Sequence, residues 1–246
     1  MSRSARVAQI GLWLAIAGGL ALALAPVGYR GGWWSLRVSL FYLLGGAIAI
    51  GALAVVVSLV GAFLTRRTPQ AQGFRVAVVG VVLGAVVGGY PALQLAKARR
   101  VPPIHDVTTD TANPPVFVAL AQTRRSAPNG LDYAGDKVAE LQKQAYPDVA
   151  TLRSTLAPAD LFERAAKAAA EGGWQVVDAA PQDGRLEATA TTRMFGFKDD
   201  IVVRVRAAAK GSELDVRSVS RIGQSDVGAN AARIRGFMEK LRAAGA

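Results

Sequence analysis

The sequence predicts an α+β protein. Three N-terminal transmembrane helices precede a soluble domain with a four-stranded antiparallel meander packed by helices. Three observations carry this reading. Residues 7–29, 38–65 and 76–96 are long apolar runs without a charged residue. All 18 acidic residues lie beyond position 105. From 157 onward the pattern changes to one amphipathic helix, four short alternating runs and a second amphipathic helix.

Each apolar run meets the length that a hydrocarbon core sets, about 20 helical residues for about 30 Å. The many glycines and alanines in them, as in "LLGGAIAIGALA", suit close backbone approach between helices in lipid. Trp33 and Trp34 fall between the first two runs, where an aromatic belt belongs. The first run could also be read as a cleaved signal, since it has a basic start and small residues at Ala21, Ala23 and Ala25. Its apolar core exceeds the usual signal length and Pro26 is a poor neighbour to a cleavage point, so a retained helix is the expectation. Residues 1–100 therefore form a membrane domain and 101–246 a soluble one.

Charge supports the same division. The net charge of +11 and pI near 10.5 suggest a nucleic-acid partner only until the charges are placed. Ten of the 29 basic residues flank the apolar runs, and the remainder carries 19 basic against 18 acidic residues. A nearly neutral domain without a basic aromatic platform argues against nucleic acid and for the lipid bilayer as the first partner. With the N-terminus inside, Arg3, Arg6, Arg66, Arg67 and Arg75 face the cytoplasm, and Arg30, Arg37, Lys97, Arg99 and Arg100 face outward. The first helix and its terminal amine tip this tie inward. That orientation puts the soluble domain in the periplasm of a bacterial cell, with the helices as a multi-pass inner-membrane anchor. The absence of cysteine fits an oxidising compartment.

In the soluble part, "KARRVPPIHDVTTDTANPPVF" is proline-rich and predicts an extended exit from the membrane or a strip along the domain. A short helix near 135–145 ends at Pro147. "PADLFERAAKAAAEGG" gives a helix over 158–171, with Pro158 in its first turn and glycines at its end. The alternating runs cover 174–180, 185–192, 200–208 and 212–221, with turn chemistry at Asp183–Gly184 and Lys210–Gly211. One face carries Leu186, Ala188, Val203, Val205, Leu214 and Val216, and the other Glu187, Arg204, Arg206, Asp215 and Arg217. Such a sheet is expected to need cover on its apolar side only. The last helix, near 226–243, shows an apolar stripe of Val227, Ala231, Ile234, Met238 and Leu241, with Ser225 as its N-cap.

"TTDTANPPVF", "YPDVATL", "LEATATTRMFGFKDDIVVRVR" and "DVRSVSRIGQSDVGANAARIRGFMEKL" resemble the domain-of-unknown-function 1499 family of bacterial envelope and plastid proteins. The resemblance spans about 101–243. It implies a membrane-tethered or exported domain and brings no catalytic residue with it.

Several groups invite a chemical reading. "RSVSRIGQSDVGANAARIRGF" gathers Arg217, Arg221, Asp226, Asn230 and Arg233 around the start of the last helix. They could form a ligand site in which loop N–H groups face an anion. Asp226 already occupies the positive helix end, however, which favours an internal network in which Arg221 and Arg233 pair with Asp226, Asp199 or Asp200. His105 is the single histidine, and with Asp106 and Asp110 in "HDVTTD" it could contribute to a metal site. Side chains bonding local backbone in a turn are the favoured alternative. Asp199 and Asp200 could share a cation, but neighbours in a strand point to opposite faces. Phe195 and Phe197 read as core. No catalytic residue, cofactor or metal is assigned. The leading expectation is a non-enzymatic envelope module binding a lipid-like ligand, a small amphiphile or an envelope protein. The runner-up is a metal- or carboxylate-dependent hydrolase using His105, Asp199, Asp200 and Asp226.

Overall fold

A computed structural model describes residues 2–67 and 71–246. The chain divides into two units, one of residues 1–99 with Met194–Gly196, the other of Arg100–Arg193 with Phe197–Ala246.

The first unit is a three-helix bundle. Helix α1 covers Arg3–Arg30, and a π-helical segment, Val38–Leu44, runs directly into α2, Gly45–Thr65. Helix α3 covers Ala71–Ala98. All three are long and apolar enough to cross a membrane. Their large side chains, such as Trp13, Val56 and Phe63, point outward, while alanine, glycine and serine fill the seams. This inverts a water-soluble core: lipid offers no hydrophobic drive between helices, so backbone proximity has to hold them. At Gly51 another helix's backbone comes nearest, because an added Cβ would lie 2.5 Å from the Gly88 nitrogen and 2.7 Å from its Cα.

The second unit holds a six-stranded antiparallel sheet. Strands β3 (Gln175–Ala180), β4 (Arg185–Thr191), β5 (Lys198–Ala207) and β6 (Ser212–Ser220) form the expected meander. Gly184 and Gly211 turn the chain with φ of 61° and 88°, a region that side chains disfavour. Two three-residue strands extend the meander: β1 (Asp106–Thr108) and β2 (Leu152–Ser154) lie end to end along the outer edge of β6. Neither is long enough to show a period of two in sequence. Between them Thr109 bonds Val216 through both its backbone nitrogen and its hydroxyl, so the edge stays occupied.

One sheet face packs on α6 (Pro158–Glu171) and α7 (Ala229–Ala243). Leu186, Val203, Leu214, Leu161, Phe162 and Ile234 are among the buried side chains of this core. Helix α5 (Asp136–Ala145) contributes the partly buried Val138. The charged face is not open to solvent, contrary to expectation. Chain 109–131, including the short α4 (Ala121–Arg124), covers it, and Phe117 and Leu120 pack on Val202 and Val219. The charges tolerate this because they are paired across the layer rather than hydrated.

The start of α7 also differs from expectation. Ser225 is not its N-cap, since Gly228 holds that position at φ 82°. The Asp226 carboxylate accepts from the nitrogens of Gly228 at 2.7 Å and Asn230 at 2.8 Å. This holds the chain in a loop until residue 228. Val227, at φ 55°, consequently leaves the apolar stripe and is exposed, and Phe237 joins the stripe instead.

Candidate functional site

Asp199 and Asp200 begin β5 and face opposite sides of it. On the helix side, Asp199 binds Arg233 of α7 at 2.5 Å. Arg233 also bonds Asn230 and Ser218, and Asn230 bonds Ser218, Ser220 and the carbonyl of His105. Asn230 is fully buried, and all of its polar atoms have partners. His105 thus joins this cluster through its backbone. Desolvation pushes the Asp226 carboxyl above its ordinary range, since the N–H bonds from Asn230 and Gly228 offset burial only in part and the charge of Asp199 adds to it.

On the other side, covered by the strap of residues 109–131, Asp200 is fully buried and accepts from Arg221 through Nε and Nη2, both at 2.8 Å, from Arg124 at 2.9 Å and from Thr189 at 2.8 Å. Burial alone would raise its pKa. The hydrogen bonds from Arg221, Thr189 and Arg124 outweigh that and hold the carboxyl below the usual carboxylate range. Arg124 has no exposed surface and bonds the carbonyls of Val219, Asn129 and Gly130 besides Asp200. Burial draws its pKa down, and Asp200 counters part of the shift.

The same lattice continues along the sheet. Arg217 meets Asp106 with two bonds, Nε to Oδ1 at 3.1 Å and Nη2 to Oδ2 at 2.7 Å, both groups being buried. Beside Asp106, the Tyr133 hydroxyl is pushed up to about 12 by burial and by that negative charge. Asp215 accepts from Arg204, Arg206, Thr109 and Thr151. Asp110 accepts from the nitrogens of Ala112 and Asn113 and pairs with Arg204. Glu187, fully buried, receives the N–H groups of Val118 and Ala119 on one oxygen and of Leu120 on the other. The strap is thereby fastened by its backbone to one carboxylate.

The structure therefore brings Asn230, Arg233 and Asp199 into one cluster, Arg221 and Asp200 into a second, and Arg217 and Asp106 into a third. Among the described residues, no three His, Asp or Glu side chains gather as metal ligands. Phe195 is buried. Sequence reading missed Arg124 and the anchoring roles of Glu187 and Asp215. One signal was available: opposite charges fall at facing positions on neighbouring strands, as Arg204 does with Asp215.

A separate concavity lies between α6 and α7. It is a cleft of about 280 Å³ bounded by Ala168, Gly172, Trp174, Gly236 and Phe237, with Glu171, Arg233 and Lys240 at its border. Trp174 stacks on Phe237 with ring centres 4.8 Å apart and planes at 23°. The Trp174 indole nitrogen bonds no acceptor among the described residues.

An α+β domain with a two-sided buried sheet, carried on helices able to cross a membrane, defines the class. The chain belongs to the family described as "Protein of unknown function (DUF1499)", which matches residues 106–241. No curated protein matches the chain.

Proposed function

We propose that this chain is a membrane-tethered, non-enzymatic envelope module of a bacterial cell, holding a small amphiphile in the cleft between α6 and α7. The carrying observation is the Trp174–Phe237 stack. The two rings, largely buried, line the cleft by their edges, with an unpaired indole N–H and Lys240 beside them. Small ligands favour such mixed sites, and the volume suits a short chain or a single ring. The ionic clusters support the same reading. Asp199, Asp200 and Asp226 are each held by arginine or backbone donors, so none of these three is poised to move a proton on a substrate. We place the soluble unit outside the cytoplasm, with the helices in the inner membrane.

Tryptophan fluorescence tests the cleft. Replacing Trp13, Trp33 and Trp34 by phenylalanine leaves Trp174 as the sole tryptophan of the full chain. Titration with decanoate should then give a saturable change, weakened in Lys240→Gln and abolished in Gly236→Leu. A linear response, or one indifferent to both substitutions, overturns the assignment. Release of a chemically altered amphiphile would instead establish turnover and sink the non-enzymatic reading.

A further inference from the structure

We propose that the end of the helical bundle where α1 and α3 finish and α2 starts is a binding surface for anionic phospholipid headgroups. The observation is a two-tier arrangement of cations over aromatic side chains. Arg37 precedes the π-helical segment and is exposed, and the next turn presents Phe41 and Tyr42, which are 72% and 66% exposed. Both rings lie within the π-helical segment and stand outward from the bundle. On α3, the exposed Lys97 stands two turns beyond Tyr90, about 10 Å along the axis and on the same face. Arg99 follows it, and Trp33 occupies the loop between α1 and α2. Rings at the glycerol level with cations one or two turns further out match the depth profile of a phospholipid, with apolar chains below and phosphate above.

Charge complementarity selects the lipid. Residues 1–105 contain no aspartate or glutamate, so this segment holds no carboxylate to neutralise Arg37, Lys97 and Arg99. No ion pair engages these three among the described residues. The opposite end carries Arg3, Arg6, Arg66, Arg67 and Arg75, likewise without a carboxylate in residues 1–105, and differs in how its cation and ring meet. There Arg66 lies 3.9 Å over the Phe63 ring of its own helix, a cation–π contact that occupies both partners. An anionic lipid phosphate supplies the counter-charge for Arg37, Lys97 and Arg99, and the exposed rings of Phe41, Tyr42 and Tyr90 set the depth at which it sits.

The test uses the full chain in nanodiscs of phosphatidylcholine, with and without phosphatidylglycerol. Thermal unfolding and mass spectrometry of retained lipid provide the readouts. Phosphatidylglycerol should raise the melting temperature and be retained over phosphatidylcholine. In the triple variant R37Q/K97Q/R99Q, that preference should fall about fivefold per cation removed. The variant R3Q/R6Q/R67Q, altered at the other end, should keep it. Equal retention of both lipids by the wild-type chain overturns the proposal, whatever the variants do. So does a triple variant with wild-type preference, or a control that loses as much. Inorganic phosphate that stabilises the detergent-solubilised chain as well as phosphatidylglycerol does would show a free-anion site in place of a lipid surface.

Discussion

Two aspartates titrate against each other in their effect on stability. The Asp200 carboxyl is held below the unfolded value near 3.9, so its contribution is present above that pH and lost as pH falls through the folded value. Asp226 is raised, so its contribution is complete below the unfolded value and lost as pH rises through the folded one. Asp226→Asn keeps an acceptor oxygen without the buried charge and should flatten the decline above pH ~4 in a plot of melting temperature against pH. Asp226→Ala removes the acceptor for two backbone donors at the start of α7 and should cost about 1–2 kcal/mol below pH ~4, and less as pH rises through the raised folded value. An unchanged melting temperature in the alanine variant would reject the capping role. The arginines on Asp200 should differ. Arg124→Met strips a fully buried pair and three carbonyl partners, a loss of about 3 kcal/mol or more. Arg221→Gln, at a partly exposed partner, should cost less than half of that. Denaturant unfolding checks the order, and a reversed order refutes the weight given to Arg124.

At the scale of elements, the strap and the helix seams are the informative parts. At its middle the strap is held by three N–H groups converging on Glu187. Glu187→Gln offers one acceptor oxygen and turns an amide donor toward the others, so amides 118–120 should exchange hydrogen faster while α7 remains protected. Uniform acceleration across the domain would indicate global destabilisation in place of strap release. In the bundle, Gly51→Leu sets a side chain against the backbone of Gly88 and the Gly84 carbonyl, neither of which can swing aside. The helices must separate locally, and the full chain in detergent should lose several degrees in melting temperature. A wild-type value would show that this seam is loose.

For the whole molecule, the proposed orientation is open to a clean labelling experiment because the chain has no cysteine. Lys210→Cys, exposed in the β5–β6 turn, should react with a membrane-impermeant maleimide on intact cells, and Arg67→Cys only after permeabilisation. The converse pattern would put the soluble unit in the cytoplasm, and with it the cleft's access to envelope amphiphiles would fail.

The sequence by itself determined the helices that can cross a membrane, the four strands of the meander, α6, and the apolar face on which the core is built. These follow from local rules: an uncharged run of sufficient length, a period of two, a period near 3.6 and turn glycines all lie within windows of a few residues. It also limited the chemistry around Arg221, Asp226, Asn230 and Arg233 to two readings. Tertiary structure decided the rest. Strands β1 and β2 exist because β6 has an edge to fill, and their three residues carry no period of their own. The charged face became an interior because Arg217 meets Asp106 across 111 positions and Arg124 meets Asp200 across 76. Partner choice over such separations depends on how layers stack, and a linear pattern shows only that charges of both signs share a face. The start of α7 was likewise displaced by the reach of one carboxylate, and the Trp174–Phe237 cleft forms only where two helices distant in sequence come together.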